Sequence, residues 1–119
     1  MSEYENIAQR YIDAWNERDA DKRGALIAEV FTPEATYTDP LAQVAGAAAI
    51  EQVIAGAQQQ FPGLEFTLGP VDGHHDIARF TWLLGAPGAA EPLVIGFDAV
   101  ALEGGRIKQV LGFLDKVPG

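Results

Sequence analysis

The hydrophobic rhythm of this chain changes once, at Pro62-Gly63, and that change limits its folds more than any other feature. Before it, apolar residues recur every three or four positions; after it, every second position. Tyr4, Ile7, Ala8, Tyr11 and Trp15 share one face of a predicted helix, with Glu5, Gln9, Arg10, Asp13 and Glu17 turned away. Asp19 or Asp21 can cap a second short helix carrying Leu26, Ile27 and Val30, predicted to stop before Pro33. A short extended piece follows from Ala35 to Asp39, closed by Pro40. Beyond a loop to Gly46, a third helix puts Ile50, Val53, Ile54, Ala57 and Phe61 on one side, and Pro62-Gly63 ends it.

In the second half, Leu64, Phe66 and Leu68 alternate with Glu65 and Thr67. Ala78, Phe80, Trp82 and Leu84 alternate with Arg79, Thr81 and Leu83. Turns are predicted at Gly73 to Asp76, Ala86 to Pro92 and Glu103 to Gly105, and Ile107 to Val117 supplies the last strand. Helices first and consecutive hairpins afterwards make an α+β fold with an antiparallel sheet of four to five strands. Such a sheet, strongly twisted, can curl around the helices and leave a concave internal pocket. Gly96 and Gly112 are the expected bend or bulge positions. No repeat or linker interrupts the 119 residues, so 1–119 reads as one domain.

Asp98 stands out within that pattern. It lies inside the strand-like run Leu93-Val94-Ile95-Gly96-Phe97-Asp98-Ala99-Val100-Ala101-Leu102, which holds no other charge. A buried carboxylate costs several kcal/mol unless paired or protonated. Flanking Phe97 and Ala99 are surroundings that push a carboxyl pKa upward.

Charge narrows the function classes. A net charge of −9 with eight scattered Lys and Arg argues against nucleic acid and against an anionic membrane surface. Without cysteine the chain has no disulfide, thiolate metal site or thiol nucleophile. No signal-like N-terminus or membrane-length apolar run is present, so a cytoplasmic protein is expected.

Three stretches carry a resemblance that spans most of the chain, from Arg10 to Phe113. Arg10-Tyr11-Ile12-Asp13 resembles the first-helix segment of bacterial ketosteroid isomerases, which holds an oxyanion-hole tyrosine. Ala35-Thr36-Tyr37-Thr38-Asp39-Pro40 is similar to the segment holding their general-base aspartate. Gly105-Arg106-Ile107 is similar to the start of their final strand. Counting back from that anchor, with the Glu103-Gly104-Gly105 turn one residue shorter, sets Asp98 opposite their oxyanion-hole aspartic acid; without the gap Phe97 takes that place. The chain thus resembles the nuclear transport factor 2-like cone-fold superfamily, which includes ketosteroid isomerases and SnoaL-type polyketide cyclases.

The resemblance implies a cone-shaped SnoaL-like domain and cofactor-independent, metal-free proton transfer next to a ketone. Asp39 would be the base, with Tyr11 and a neutral Asp98 as donors to the oxygen that gains charge. Trp15, Phe31, Ile54, Phe80, Trp82, Val110 and Leu114 would line a slot for a small apolar ketone-like ligand, and the protein would be a homodimer. An isomerase that shifts a double bond is the first reading, a polyketide cyclase closing a ring by aldol chemistry the second, a non-catalytic ligand-binding or dimerisation module the third. Phe31 and Ile54 stand where some isomerases carry further tyrosines, and Leu114 where they carry a tryptophan, so the substrate is expected to differ.

Plainer accounts remain open for each residue. Tyr11 alone is explained as a core aromatic with a bonded hydroxyl, Asp39 before Pro40 as a turn initiator, and Asp98 as a solvent-facing residue on an edge strand. His74-His75 before Asp76 has the composition of a metal or base cluster, but neighbouring strand residues point to opposite faces, which favours a solvated turn. Trp15, Phe80, Trp82 and Phe97 suit a core as well as a ligand slot. Asp115 could border the pocket mouth and serve a hydrolase or cyclase. A limonene-epoxide-hydrolase mechanism would want an arginine near its central aspartate, and Gly96 is not one.

Overall fold

Residues 2–118 are described by a computed structural model. Helix α1 spans Glu3–Asn16 and is set by a capping box: the Ser2 hydroxyl accepts from the Glu5 amide, and the Glu5 carboxylate accepts from the Ser2 amide. Asp19 caps α2, Ala20–Val30, by accepting from the Asp21 amide. Strand β1, Phe31–Thr38, follows without a loop, four residues earlier than the sequence suggests. Pro33 does not break it, because its N-terminal half lies where pairing with the neighbouring strand slips register, between Phe31 and Thr36. The short β2, Gln43–Ala45, folds back on β1. Helix α3, Ala47–Gln60, starts at Gly46, whose φ of 94° suits glycine.

Four hairpin-linked strands follow among the described residues: β3 Glu65–His74, β4 Ile77–Gly85, β5 Val94–Glu103 and β6 Arg106–Lys116. The Gly104-Gly105 turn has positive φ at both residues, as a tight two-residue hairpin requires. Sheet order is β2-β1-β6-β5-β4-β3. The sheet has six strands and is mixed, not antiparallel throughout, because β1 and β6 run parallel. After β2 the chain crosses through α3 to the far edge, and the hairpins then fill inward until β6 lands beside β1 in the same direction.

The curved, unclosed sheet wraps the helices, and the core lies between them. Tyr11, Ile12, Phe31, Ile50, Ile54, Phe80 and Val110 are all below 2% exposed. Arg23, unnoticed in the sequence beside Lys22, is also buried. Its guanidinium pairs with Glu51 at 2.7 Å and donates to the Glu17 carbonyl and to Gln58, tying α1, α2 and α3 together. Gln58 in turn donates to the Trp15 and Glu17 carbonyls at the end of α1.

Candidate active site

Strand β5 buries alternate residues, so Val94, Gly96, Asp98, Val100 and Leu102 share its inner face. Asp98 is therefore 3% exposed and turned inward, on an interior strand. Its cross-strand neighbours are Phe80 on β4 and Gly112 on β6. The next inward residue, Gly96, lies under the Trp82 indole.

Asp39 approaches from the other side of β6. It follows Thr38, the last residue of β1, whose partner on β6 is Leu111. Gly112 lies between the two acids: a Cβ there would stand 2.8 Å from Asp98 Oδ1 and 3.2 Å from Asp39 Cβ. The two glycines read as bend positions thus have a second use. Gly112 pairs regularly and makes room for the carboxyls, whereas Gly96 adjoins a register shift and makes room for Trp82.

A cavity of about 540 Å³ reaches these groups, with Tyr11, Tyr37, Asp39 and Asp98 in its wall. Most of the remaining lining is apolar, including Trp15, Trp82 and Leu114, and the exposed Leu41 and Val117 also contribute to it. Among the described residues that line it there is no Lys, Arg or His.

Each carboxylate has its own tyrosine. The Tyr11 hydroxyl donates to Asp98 Oδ2 at 2.8 Å, and the Tyr37 hydroxyl donates to Asp39 Oδ2 at 2.5 Å. Asp39 Oδ1 also accepts from the Leu41 and Ala42 amides, both at 2.8 Å, and the Asp39 amide donates to the Ala42 carbonyl. Asp39 therefore does initiate a turn, and that turn is what holds its carboxylate in the cavity wall.

Burial pushes the Asp98 carboxyl up to about 6, with the nearby Asp39 charge adding to it; the Tyr11 hydroxyl and the Trp82 indole N–H act in the opposite direction. Burial first, and then the Asp98 charge, raise Tyr11 well above the ordinary phenol range. Tyr37 is raised too, by burial, by its bond to Asp39 and by the charges of Asp39 and Asp98. Both hydroxyls are thus fully protonated donors at neutral pH. The Trp15 indole nitrogen is, among the described residues, the one fully buried side-chain polar atom without a hydrogen-bond partner.

Of the residues singled out in the sequence, Tyr11, Asp39 and Asp98 meet at the cavity, and Trp15, Trp82 and Leu114 line it. Phe31, Ile54, Phe80 and Val110 do not. They face the core, where Phe31 and Phe80 pack edge-on against the Tyr11 ring at centroid distances of 5.8 and 5.3 Å. Tyr37 went unnoticed as a site residue, although its position two before Asp39 in an extended segment was the available signal. His74 ends β3 and His75 begins an exposed turn with φ 49°, both outside the cavity lining. Among the described residues, no group of three or more His, Asp or Glu could hold a metal ion, and no helix is long and apolar enough to cross a membrane.

Comparison with known proteins agrees with this architecture. Residues 8–110 match the model of the SnoaL-like domain. A crystal structure from Agrobacterium tumefaciens, provisionally named an isomerase of the SnoaL-like family, is 41% identical; the match covers 97% of this chain and 99% of that one, with a TM-score of 0.89. A protein from Kribbella flavida provisionally named a ketosteroid isomerase is 18% identical, with 98% and 81% of the two chains covered and a TM-score of 0.71. One from Sinorhizobium meliloti provisionally named a polyketide cyclase is 20% identical, with 97% and 100% covered and a TM-score of 0.71. These last two share the fold. No curated protein matches the sequence.

Proposed function

The chain belongs to the SnoaL-like family, and from that membership and the cavity we propose that it is a cofactor-independent acid–base enzyme moving a proton next to a ketone. The observation that carries this reading is the pair of tyrosine-bonded carboxylates facing one apolar cavity from either side of Gly112. Asp39 takes a proton from the carbon beside the carbonyl. Tyr11 and Asp98 face the oxygen that gains charge, and Asp39 returns the proton to a second carbon, so the double bond shifts. An apolar substrate that displaces water from the cavity favours the neutral, donating form of Asp98 further. The absence of a cationic side chain among the described lining residues fits a neutral ketone rather than a carboxylate or phosphate.

The test is isomerisation of a β,γ-unsaturated 3-ketosteroid, followed by absorbance of the conjugated enone, for wild type and Asp39→Asn. Turnover lost in the variant supports the reading; no turnover in either protein overturns it.

One observation favours a ring-closing aldol reaction instead. Among the described residues Asp39 already accepts three hydrogen bonds, whereas Asp98 accepts one within bonding distance and is pushed up to about 6, a value suited to a base at neutral pH. On this cyclase-type reading Asp98→Asn, not Asp39→Asn, is the more damaging substitution with a polyketide-like substrate.

The homodimer is likewise a proposal. The outer face of β5 and β6 pairs Phe97 with Phe113 and Ala99 with Leu111, and Phe113 and Leu111 are 58% and 42% exposed. Sedimentation equilibrium that returned a monomer at micromolar concentration would dismiss it.

A further inference from the structure

We propose that Tyr37 is a positioning residue that selects a single lone pair of Asp39, on Oδ2, as the proton acceptor. A carboxylate offers about four lone-pair sites, two on each oxygen. On Asp39 the Leu41 and Ala42 amides both donate to Oδ1, and the Tyr37 hydroxyl donates to Oδ2. Among the described residues none donates to the fourth site, on the oxygen that Tyr37 grips.

The rest of the surroundings fit this assignment. Tyr37 is 4% exposed, and its ring lies 5.9 Å from that of Trp15, so the hydroxyl has little freedom to turn away. Titratable neighbours come from two elements, Tyr11 on α1 and Asp98 on β5; Gly112 and Leu114 of β6 carry no charge, and α3 contributes Gln52 and Gln60 to the cavity. The phenol remains a donor throughout the step, so it does not compete for the substrate proton.

The inference rests on the proton-transfer reading, and its step balances. The C–H bond beside the carbonyl breaks, the proton goes to the free lone pair of Oδ2, and the electron pair moves into the enolate, whose oxygen faces Tyr11 and Asp98. Delivery of the same proton to the second carbon restores the carboxylate. Tyr37 keeps its own proton and tightens or relaxes its bond as Asp39 gains and loses charge.

The experiment compares wild type, Tyr37→Phe and Asp39→Asn in two measurements. In proton NMR, a short O–H···O bond of this kind gives a hydroxyl resonance far downfield of the amides. It is expected in wild type and absent from both variants; its absence from wild type overturns the inference whether or not the protein turns over substrate. In kinetics with the 3-ketosteroid, Tyr37→Phe is expected to lower kcat about ten- to hundredfold, because a displaced base misses its carbon, with KM within about threefold because the ring still fills its place. A Tyr37→Phe kcat within about twofold of wild type overturns the positioning role. Wild type that shows the resonance but no turnover overturns the isomerase reading and, with it, the accepting role of Oδ2, while leaving the hydrogen bond established.

Discussion

Gly112 and Asp98 are opposed residues on neighbouring strands, and any side chain on the first would run into the carboxyl of the second: a Cβ would stand 2.8 Å from Oδ1. The site therefore depends on a residue with no chemistry of its own. On the proposed proton-transfer reading, Gly112→Ala is expected to lower kcat/KM at least tenfold by moving one acid off target; it is also expected to cost about 1–3 kcal/mol as an overpacked core substitution. Steady-state kinetics and urea unfolding of the same variant check both numbers.

Asp98 makes stability depend on pH. Its carboxyl titrates at about 6 in the folded protein against 3.8 for an ordinary aspartate, so the native state holds the proton more tightly than the unfolded one. The contribution is fully present below about pH 4, is lost as pH rises through 6, and is flat above that; its size is about 3 kcal/mol at most. Asp98→Asn keeps an acceptor for Tyr11 and cannot ionise. It is expected to stabilise the protein at pH 8 by about 1–3 kcal/mol and to flatten the unfolding free energy between pH 4 and 6. Urea titrations at a series of pH values read this directly; equal slopes in the two proteins would count against a buried, ionising Asp98.

Gly96 supports the opposite wall. A Cβ there would lie 1.9 Å from Trp82 Cζ2, a distance no rotamer adjustment of a few tenths of an ångström relieves. Gly96→Ala is expected to expel the indole from the cavity wall, cost about 1–3 kcal/mol, and shift the tryptophan emission to the red. Unchanged emission and unchanged thermal midpoint would contradict the packing described.

Arg23→Leu removes the cation shared by α2, Glu51 and the end of α1. Glu51 keeps some solvent at 33% side-chain exposure, so the expected loss is about 2 kcal/mol, below the range for a fully buried pair. Adding Glu51→Gln to Arg23→Leu should recover little of it, because Gln58 Oε1 still loses its donor and the Glu17 carbonyl is left with Gln58 alone. Urea midpoints of the two variants test that order.

How much could be read in advance follows from which interactions are local. The helix faces around Tyr11 and Ile50 and the alternation of Ala78, Phe80 and Trp82 are written in short spacings, and the structure places them as those spacings predict. The start of β1 at Phe31 was not legible, since Pro33 signals a break and only the register slip against β6 tolerates it. The parallel β1–β6 pairing joins distant parts of the chain and leaves no trace in either strand. At the site, Asp98 announced itself as a charge in an apolar run. Tyr37 did not, because a tyrosine in a strand is ordinary until the turn at Asp39 brings a carboxylate to its hydroxyl. Phe31, Ile54, Phe80 and Val110 have the composition of a ligand slot, and only packing distinguishes the residues behind Tyr11 from those in front of it.

The parallel pairing of β1 with β6 also governs how the protein comes into being. Hairpins β3–β4 and β4–β5 can form as they are made, but the seam that brings Asp39 beside Asp98 waits for β6 to be synthesised. Until Gly112 and its neighbours leave the ribosome, β1 lacks its main partner, and the inner edge of β5 is open to pairing with other chains. Chemistry and completion are thereby linked. A chain cut short before β6 loses more than that strand, for it never acquires a place where two carboxylates face one cavity.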